Sequence, residues 1–192
     1  MSVTSPRSAN TVLASRETHL VEVVDGAGTP IGTSTVAESH TIPGKLHRAF
    51  SVLLIDDEGR LLLQRRAATK TRFALRWANT CCGHPEPGRD VREAAAARLF
   101  DEMGLLVDNL TEAGRFSYRA QDPATGRVEH EYDHVFVARV PANTAPMPNR
   151  DEVAEWRWMR REELLEDAAR HPDRYAPWLT HVVDVAMAAL PA

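Results

Sequence analysis

Apolar residues recur along the chain in short blocks of differing period, separated by turn residues. Residues 19–24 read as a first strand, closed by Asp25-Gly26-Ala27-Gly28. A polar connection over residues 33–45 follows. Residues 49–55 and 61–64 flank Asp56-Asp57-Glu58-Gly59 in the pattern of a β-hairpin. Both arms are apolar on consecutive residues, as in strands covered on both faces. Asp90 can cap a helix running to about Met103, with an alanine run at 94–97 and Gly104 as its stop. Residues 114–120 and 127–140 read as two strands joined through 121–126. Pro141, Pro146 and Pro148 mark a loop, residues 155–159 form a last strand, and helices over 161–170 and 177–189 finish the chain. Strands, one helix, strands and two helices predict a single α/β (α+β) domain over residues 18–192. Residues 1–17, rich in Ser, Thr, Arg and Asn, are expected to be a flexible tail.

Composition adds exclusions. With 192 residues, 43% apolar and 26% charged, the chain has room for one core and little more. Its 23 basic and 27 acidic residues leave a net charge of −4, which excludes a broadly cationic binder of nucleic acid or anionic membrane. No apolar run approaches the ~20 residues that span a bilayer, and the first residues are polar where a secretory leader would be apolar. The two cysteines, Cys81 and Cys82, are neighbours and could pair only through a strained ring. Free thiols in a cytoplasmic protein are therefore expected.

Four constellations carry candidate chemistry. On a strand, Glu129, Glu131 and Asp133 share one face with Val135 and Val137. Such a face passes from a site into a core, or from solvent into a core. His40 and His47 bracket Pro43-Gly44, which can reverse the chain and bring both imidazoles together; two unrelated surface histidines have the same spacing. With His84, three imidazoles and two carboxylates would suit Zn²⁺, Mn²⁺ or Fe²⁺ better than magnesium. In Asn79-Thr80-Cys81-Cys82-Gly83-His84-Pro85, Cys82 precedes a glycine that can leave its thiol facing a cavity, while Cys81 reads as a small buried hydrophobe. From Arg65 to Arg76 there are five basic residues and no acid. That stretch suits a compact anion such as a diphosphate, or a solvated edge.

Taken together, these pieces resemble the type I isopentenyl-diphosphate isomerases of the Nudix fold superfamily. The matching motifs are His40-x6-His47-Arg48-Ala49-Phe50-Ser51, Leu63-Gln64-x-Arg66, the 79–85 segment, Glu102-x-Gly104, Tyr118-Arg119, Glu129-x-Glu131 and Pro177-Trp178. They fall in family order from about Glu22 to Trp178. The resemblance implies a mixed sheet sandwiched by helices and the interconversion of isopentenyl and dimethylallyl diphosphate. It implies Mn²⁺, Zn²⁺ or Mg²⁺ held by His40, His47, His84, Glu129 and Glu131, with Cys82 and Glu131 exchanging protons on opposite faces of the substrate. Tyr118 would assist Glu131, and Trp178 would lie over the reacting carbons. Arg66, Lys70 and Arg98 would meet the diphosphate, and Glu102 would help hold a Mg²⁺ that bridges it. The partner implied is a small prenyl diphosphate, handled by a monomer or weak homodimer without nucleic acid or membrane.

Two departures shape the alternatives. Against the Nudix hydrolase signature Gly-x5-Glu-x7-Arg-Glu-x2-Glu-Glu-x-Gly counted from Gly83, the chain carries Arg89, Ala97-Arg98 and Asp101-Glu102. Of the four signature glutamates only Glu102 survives, which disfavours diphosphate hydrolysis. Val36 stands where the family carries a diphosphate-binding lysine, and Phe73-Ala74-Leu75-Arg76 replaces an aromatic-Pro-Gly turn. These keep open a larger or methylated prenyl diphosphate. A non-catalytic prenyl-diphosphate or metal binder remains the reading from another class.

Overall fold

A computed structural model of the chain describes residues 16–190. Nine strands of one mixed sheet are built around β3 (His47–Asp56). β3 runs parallel to β8 (Val128–Val140), in register from His47 beside Glu131 to Asp56 beside Val140. Antiparallel neighbours of β3 are β1 (Leu20–Val24), β4 (Arg60–Arg66) and the three-residue β6 (Cys81–Gly83). β2 (Pro30–Thr35) pairs with β1, β7 (Thr111–Gln121) with β8, and both β5 (Trp77–Ala78) and β9 (Val153–Arg160) with β4.

Alternate residues of β3 face opposite cores, as the period of two requires. Val52 and Leu54 pack with Leu62, Phe136, Leu99 and Met103. The latter two come from helix α2 (Val91–Met103), capped by Asp90 and stopped by Gly104 in the left-handed conformation, φ 67°. Leu53 and Ile55 pack on the other face with Val135, Val137, Trp178 and Val182. That side is covered by α3 (Arg161–Arg170) and α4 (Leu179–Ala188). The consecutive apolar runs of β3 and β4 thus belong to strands sandwiched between helices, as the sequence pattern predicts.

The polar connection expected over 33–45 instead contains the end of β2 and a one-turn helix, α1 (Val36–Ser39). β2 is an edge strand exposed along most of its length, so it lacks the apolar alternation that marks a strand; its pairing with β1 defines it. The short β5 and β6 are likewise defined by their partners. Residues 1–15 of the expected tail lie outside the described residues. Arg16 pairs with Glu152, and Glu17 with Arg72 and Arg127.

Candidate active site

Sheet register places the first site residues in one row. Glu131 on β8 lies between His47 on β3 and Tyr118 on β7. His40, at the end of α1, is returned to this row by a reversal at Pro43-Gly44, where Gly44 adopts φ 85°. A Cβ at Gly44 would lie 2.7 Å from Val128, so the reversal seats directly on β8. His84 follows β6. The three imidazole centroids lie 4.6–5.1 Å apart, and donor atoms of His40, His47, His84 and Glu131 all fall within 4.8 Å of one another.

The backbone fixes which ring nitrogens face inward. His40 Nδ1 lies 2.7 Å from the Val36 carbonyl, and His47 Nδ1 lies 2.8 Å from the Lys45 carbonyl. A carbonyl only accepts, so each Nδ1 carries the proton and donates. Neutral rings in this tautomer aim the Nε2 lone pair into the cluster, as in histidines that ligate metals. His40 Nε2 meets Glu129 Oε2 at 2.8 Å. The buried His47 Nε2 carries no hydrogen bond and sits 3.8 Å from Glu131 Oε1, while His84 Nε2 is 2.9 Å from that same oxygen. Burial, reinforced by the neighbouring imidazoles, lowers the pKa of His47 and His84 well below the ordinary histidine value. Lone pairs converging on carboxylate oxygens, with one buried nitrogen unpartnered, fit a divalent cation. Glu129 stands at the edge of this group, held also by Arg72 Nε at 3.0 Å. Burial opposes its ionisation, but the Arg72 guanidinium holds it well below the usual carboxylate range.

A second row crosses the same sheet face. Ser51 on β3 stands opposite Cys82 on β6. Strand alternation separates the two cysteines: Cys81 packs into the core under α2, whereas Cys82 turns to the face carrying Trp178. Cys82, Glu131, Tyr118, Trp178 and His84 line one cavity of about 300 Å³. Burial, and then Asp133, push the Cys82 thiol up to about 12. Glu131 is pushed up to about 8 by burial and by the Glu129 charge, and it accepts a 2.6 Å bond from the Tyr118 hydroxyl. Trp178 is held edge-on by Phe73 at 5.4 Å between centroids, and Tyr118 lies tilted at 5.8 Å.

The cationic residues divide. Lys70 and Arg98 bind Glu102, Lys70 Nζ at 2.9 Å, and both also bind Glu152, which Arg16 reaches as well. Gln64 donates to Glu102 at 2.9 Å. Burial opposes ionisation of Glu102, but Arg98 and Lys70 hold it well below the usual range. Arg66 instead donates to the carbonyls of Phe73 and Arg72, with its guanidinium carbon 5.6 Å from the Trp178 ring centroid. All three expected cations line the cavity, as do Val36 and Arg16. On α2, Asp101 lines the cavity as an exposed carboxylate while Glu102 is buried, so the one carboxylate that the helix buries is already neutralised. Sequence reasoning missed Arg16, Arg72 and Glu152. Arg72 belonged to the basic stretch but had no visible partner, and the other two lie in segments without periodicity.

A NUDIX domain model matches residues 45–181. The fold is similar to a crystallised Deinococcus radiodurans protein, DR0079, at a TM-score of 0.69 over 87% of this chain and 99% of that one, with 18% identity. It is also similar to the NUDIX domain of Shewanella oneidensis NrtR, at a TM-score of 0.57 over 74% and 87% with 14% identity. Fold and site therefore define a NUDIX domain in which two of the four signature carboxylates are replaced by Arg89 and Arg98. The chain is 57% identical to an isopentenyl-diphosphate Delta-isomerase of Nocardia farcinica over 88% of its own length and 95% of the relative's. A Streptomyces griseus relative of the same name is 47% identical over 91% and 86%. The chain belongs to the isopentenyl-diphosphate Delta-isomerase family.

Proposed function

We propose that the chain interconverts isopentenyl and dimethylallyl diphosphate by adding a proton at the terminal alkene carbon and removing one from the carbon nearer the diphosphate. The observation that carries this reading is the enclosure of Cys82 and Glu131 in one cavity beside the Trp178 indole. Protonating an unactivated alkene develops a tertiary carbocation, which water would capture, so the pocket must exclude solvent. Trp178 is buried to 3% exposure, and an indole face stabilises such a cation by about 2 kcal/mol when desolvated, without offering a trapping lone pair. Cys82 and Glu131 sit on separate strands and serve as the two proton-exchanging groups. Tyr118 holds Glu131 through its hydroxyl. A divalent ion (Mn²⁺, Zn²⁺ or Mg²⁺) held by His40, His47, His84, Glu131 and Glu129 would favour the ionised carboxylate at Glu131.

Lys70, Arg98 and Arg16 face two carboxylates, Glu102 and Glu152. A diphosphate entering this cluster meets cations already shared with acids, and a Mg²⁺ arriving with the substrate would offset that negative charge, with Glu102 among its ligands. Hydrolysis is disfavoured because positions 89 and 98 carry arginine and the buried Glu102 is already paired with Lys70 and Arg98. Val36, apolar and lining the cavity, and the altered 73–76 turn are the features behind the alternative of a larger or methylated prenyl diphosphate.

Incubation with Mg²⁺ and isopentenyl diphosphate in deuterated water, with and without chelator, tests the reading. Deuterium in both substrate and allylic product, lost on chelation, is expected. No exchange and no allylic product would overturn the isomerase, and release of phosphate would point to a hydrolase. A higher kcat/KM on a longer or methylated homologue would reassign the substrate.

A further inference from the structure

Asn79 lies in the connection between β5 and β6 and is completely buried. Its side chain makes four polar contacts. Nδ2 donates to the carbonyls of Val52, at 3.1 Å, and Cys81, at 2.8 Å. Both partners are acceptors only, which fixes the amide orientation and leaves Oδ1 as the sole free atom. Oδ1 then accepts from Cys82 Sγ at 3.2 Å and from Trp178 Nε1 at 3.1 Å. These two groups are three and 99 residues away along the chain. One is a proton-exchanging group of the proposed reaction, and the other is the ring that would face the cation.

We propose that Asn79 is a positioning residue that sets the sulfur and the indole at a fixed separation by giving both donors the same acceptor. This rests on the roles assigned to Cys82 and Trp178 in the proposed function. The two backbone carbonyls come from β3 and β6, so the amide is pinned to the rigid centre of the sheet. The thiol and the indole inherit that rigidity. Ser51 Oγ lies 3.7 Å from Sγ, too long a contact to hold the sulfur alone. A misplacement of about 1 Å in a reacting group costs on the order of 10²-fold in rate. The cost of losing the anchor therefore falls on kcat, because Asn79 does not line the cavity and makes no contact that a diphosphate would share.

The test is Asn79→Ala, with Asn79→Ser as a smaller perturbation that keeps a hydroxyl near the Cys81 carbonyl. Either variant is expected to lower kcat about a hundredfold while KM stays within about threefold. The rate of Cys82 alkylation by iodoacetamide, followed at the residue by mass spectrometry, is expected to rise because the thiol is no longer held. Unchanged kcat and alkylation rate, or a raised KM at constant kcat, would overturn the proposal. Should neither variant fold, a variant that keeps Asn79 still decides. In ¹⁵N-tryptophan spectra, Cys82→Ala is expected to shift the Trp178 indole N–H resonance, since the thiol no longer competes for Oδ1; an unmoved resonance overturns the shared anchor. The alkylation and resonance readouts need no turnover, so they separate failure of the anchor from failure of the isomerase reading.

Discussion

At the scale of single residues, the site is a set of polar groups that water would ordinarily satisfy and that here face one another. Glu131 combines a raised pKa, a tyrosine donor and two imidazole neighbours within 4 Å. Cys82 combines a raised pKa with a cavity-facing position. Positioned acid–base groups contribute on the order of 10²–10⁴-fold. Glu131→Gln and Cys82→Ala are each expected to lose at least that factor in deuterium exchange while still binding the substrate diphosphate; a variant keeping full exchange would remove its residue from the mechanism. The unpartnered His47 Nε2 leads to a second expectation. Zn²⁺ or Mn²⁺ added to chelator-treated protein should raise its melting temperature, since an ion at a hundred times its Kd adds about 2.7 kcal/mol to folding. His47→Ala should abolish most of that rise in a thermal-shift titration. An equal rise in the variant would place the ion elsewhere.

At the scale of elements, the loop between β4 and β5 is the least comfortable piece of backbone. Phe73 and Leu75 adopt φ 46° and 61°, the left-handed region that costs a non-glycine residue about 1 kcal/mol or more. Phe73 is repaid by burial against Trp178, but Leu75 is 45% exposed and gains little. Leu75→Gly is therefore expected to raise the melting temperature by a few degrees without changing kcat, as calorimetry and the exchange assay would show; a fall would mean that the leucine packs more usefully than its exposure implies. The same position shows how far sequence reasoning reaches. A leucine where the family turn has glycine was legible as a departure, whereas its left-handed φ was not. α2 was legible to the residue because Asp90, the alanine run and Gly104 are local signals. β3, β4 and β8 were legible because they are buried on both faces. β2, β5 and β6 were not, because pairing partners distant in the chain make them strands. The histidine cluster was half legible: Pro43-Gly44 announces the reversal, but the lone pairs are aimed by the carbonyls of Val36 and Lys45, which no side-chain pattern encodes.

At the scale of the whole molecule, one carboxylate ties three distant stretches together. Glu17 accepts from Arg72 Nη1 at 3.0 Å, from Thr71 Oγ1 at 2.9 Å and from Arg127 Nη1 at 3.1 Å. It thereby joins the start of the described chain to the β4–β5 loop and to the segment entering β8. Burial opposes ionisation of Glu17, but Arg72 and the Thr71 hydroxyl hold its pKa below the ordinary glutamate value. A carboxylate depressed in the folded state contributes stability above its unfolded pKa and loses it as pH falls through the folded value. The tie is therefore complete at neutral pH and weakens only in acid. Amide hydrogen exchange over residues 16–20, corrected for intrinsic rates, is expected to be steady from about pH 7 to about pH 5 and to accelerate severalfold as pH falls below about 4, beneath the ordinary glutamate range. Glu17→Gln should show the faster exchange already at neutral pH and little further change in acid. Arg72 also holds Glu129 at 3.0 Å, so releasing Glu17 frees Nη1 while leaving Nε on the carboxylate beside His40. Opening of the N-terminal segment should consequently precede, on acidification, any loss of ion from the histidine cluster. Simultaneous release would show that segment and site open as one unit.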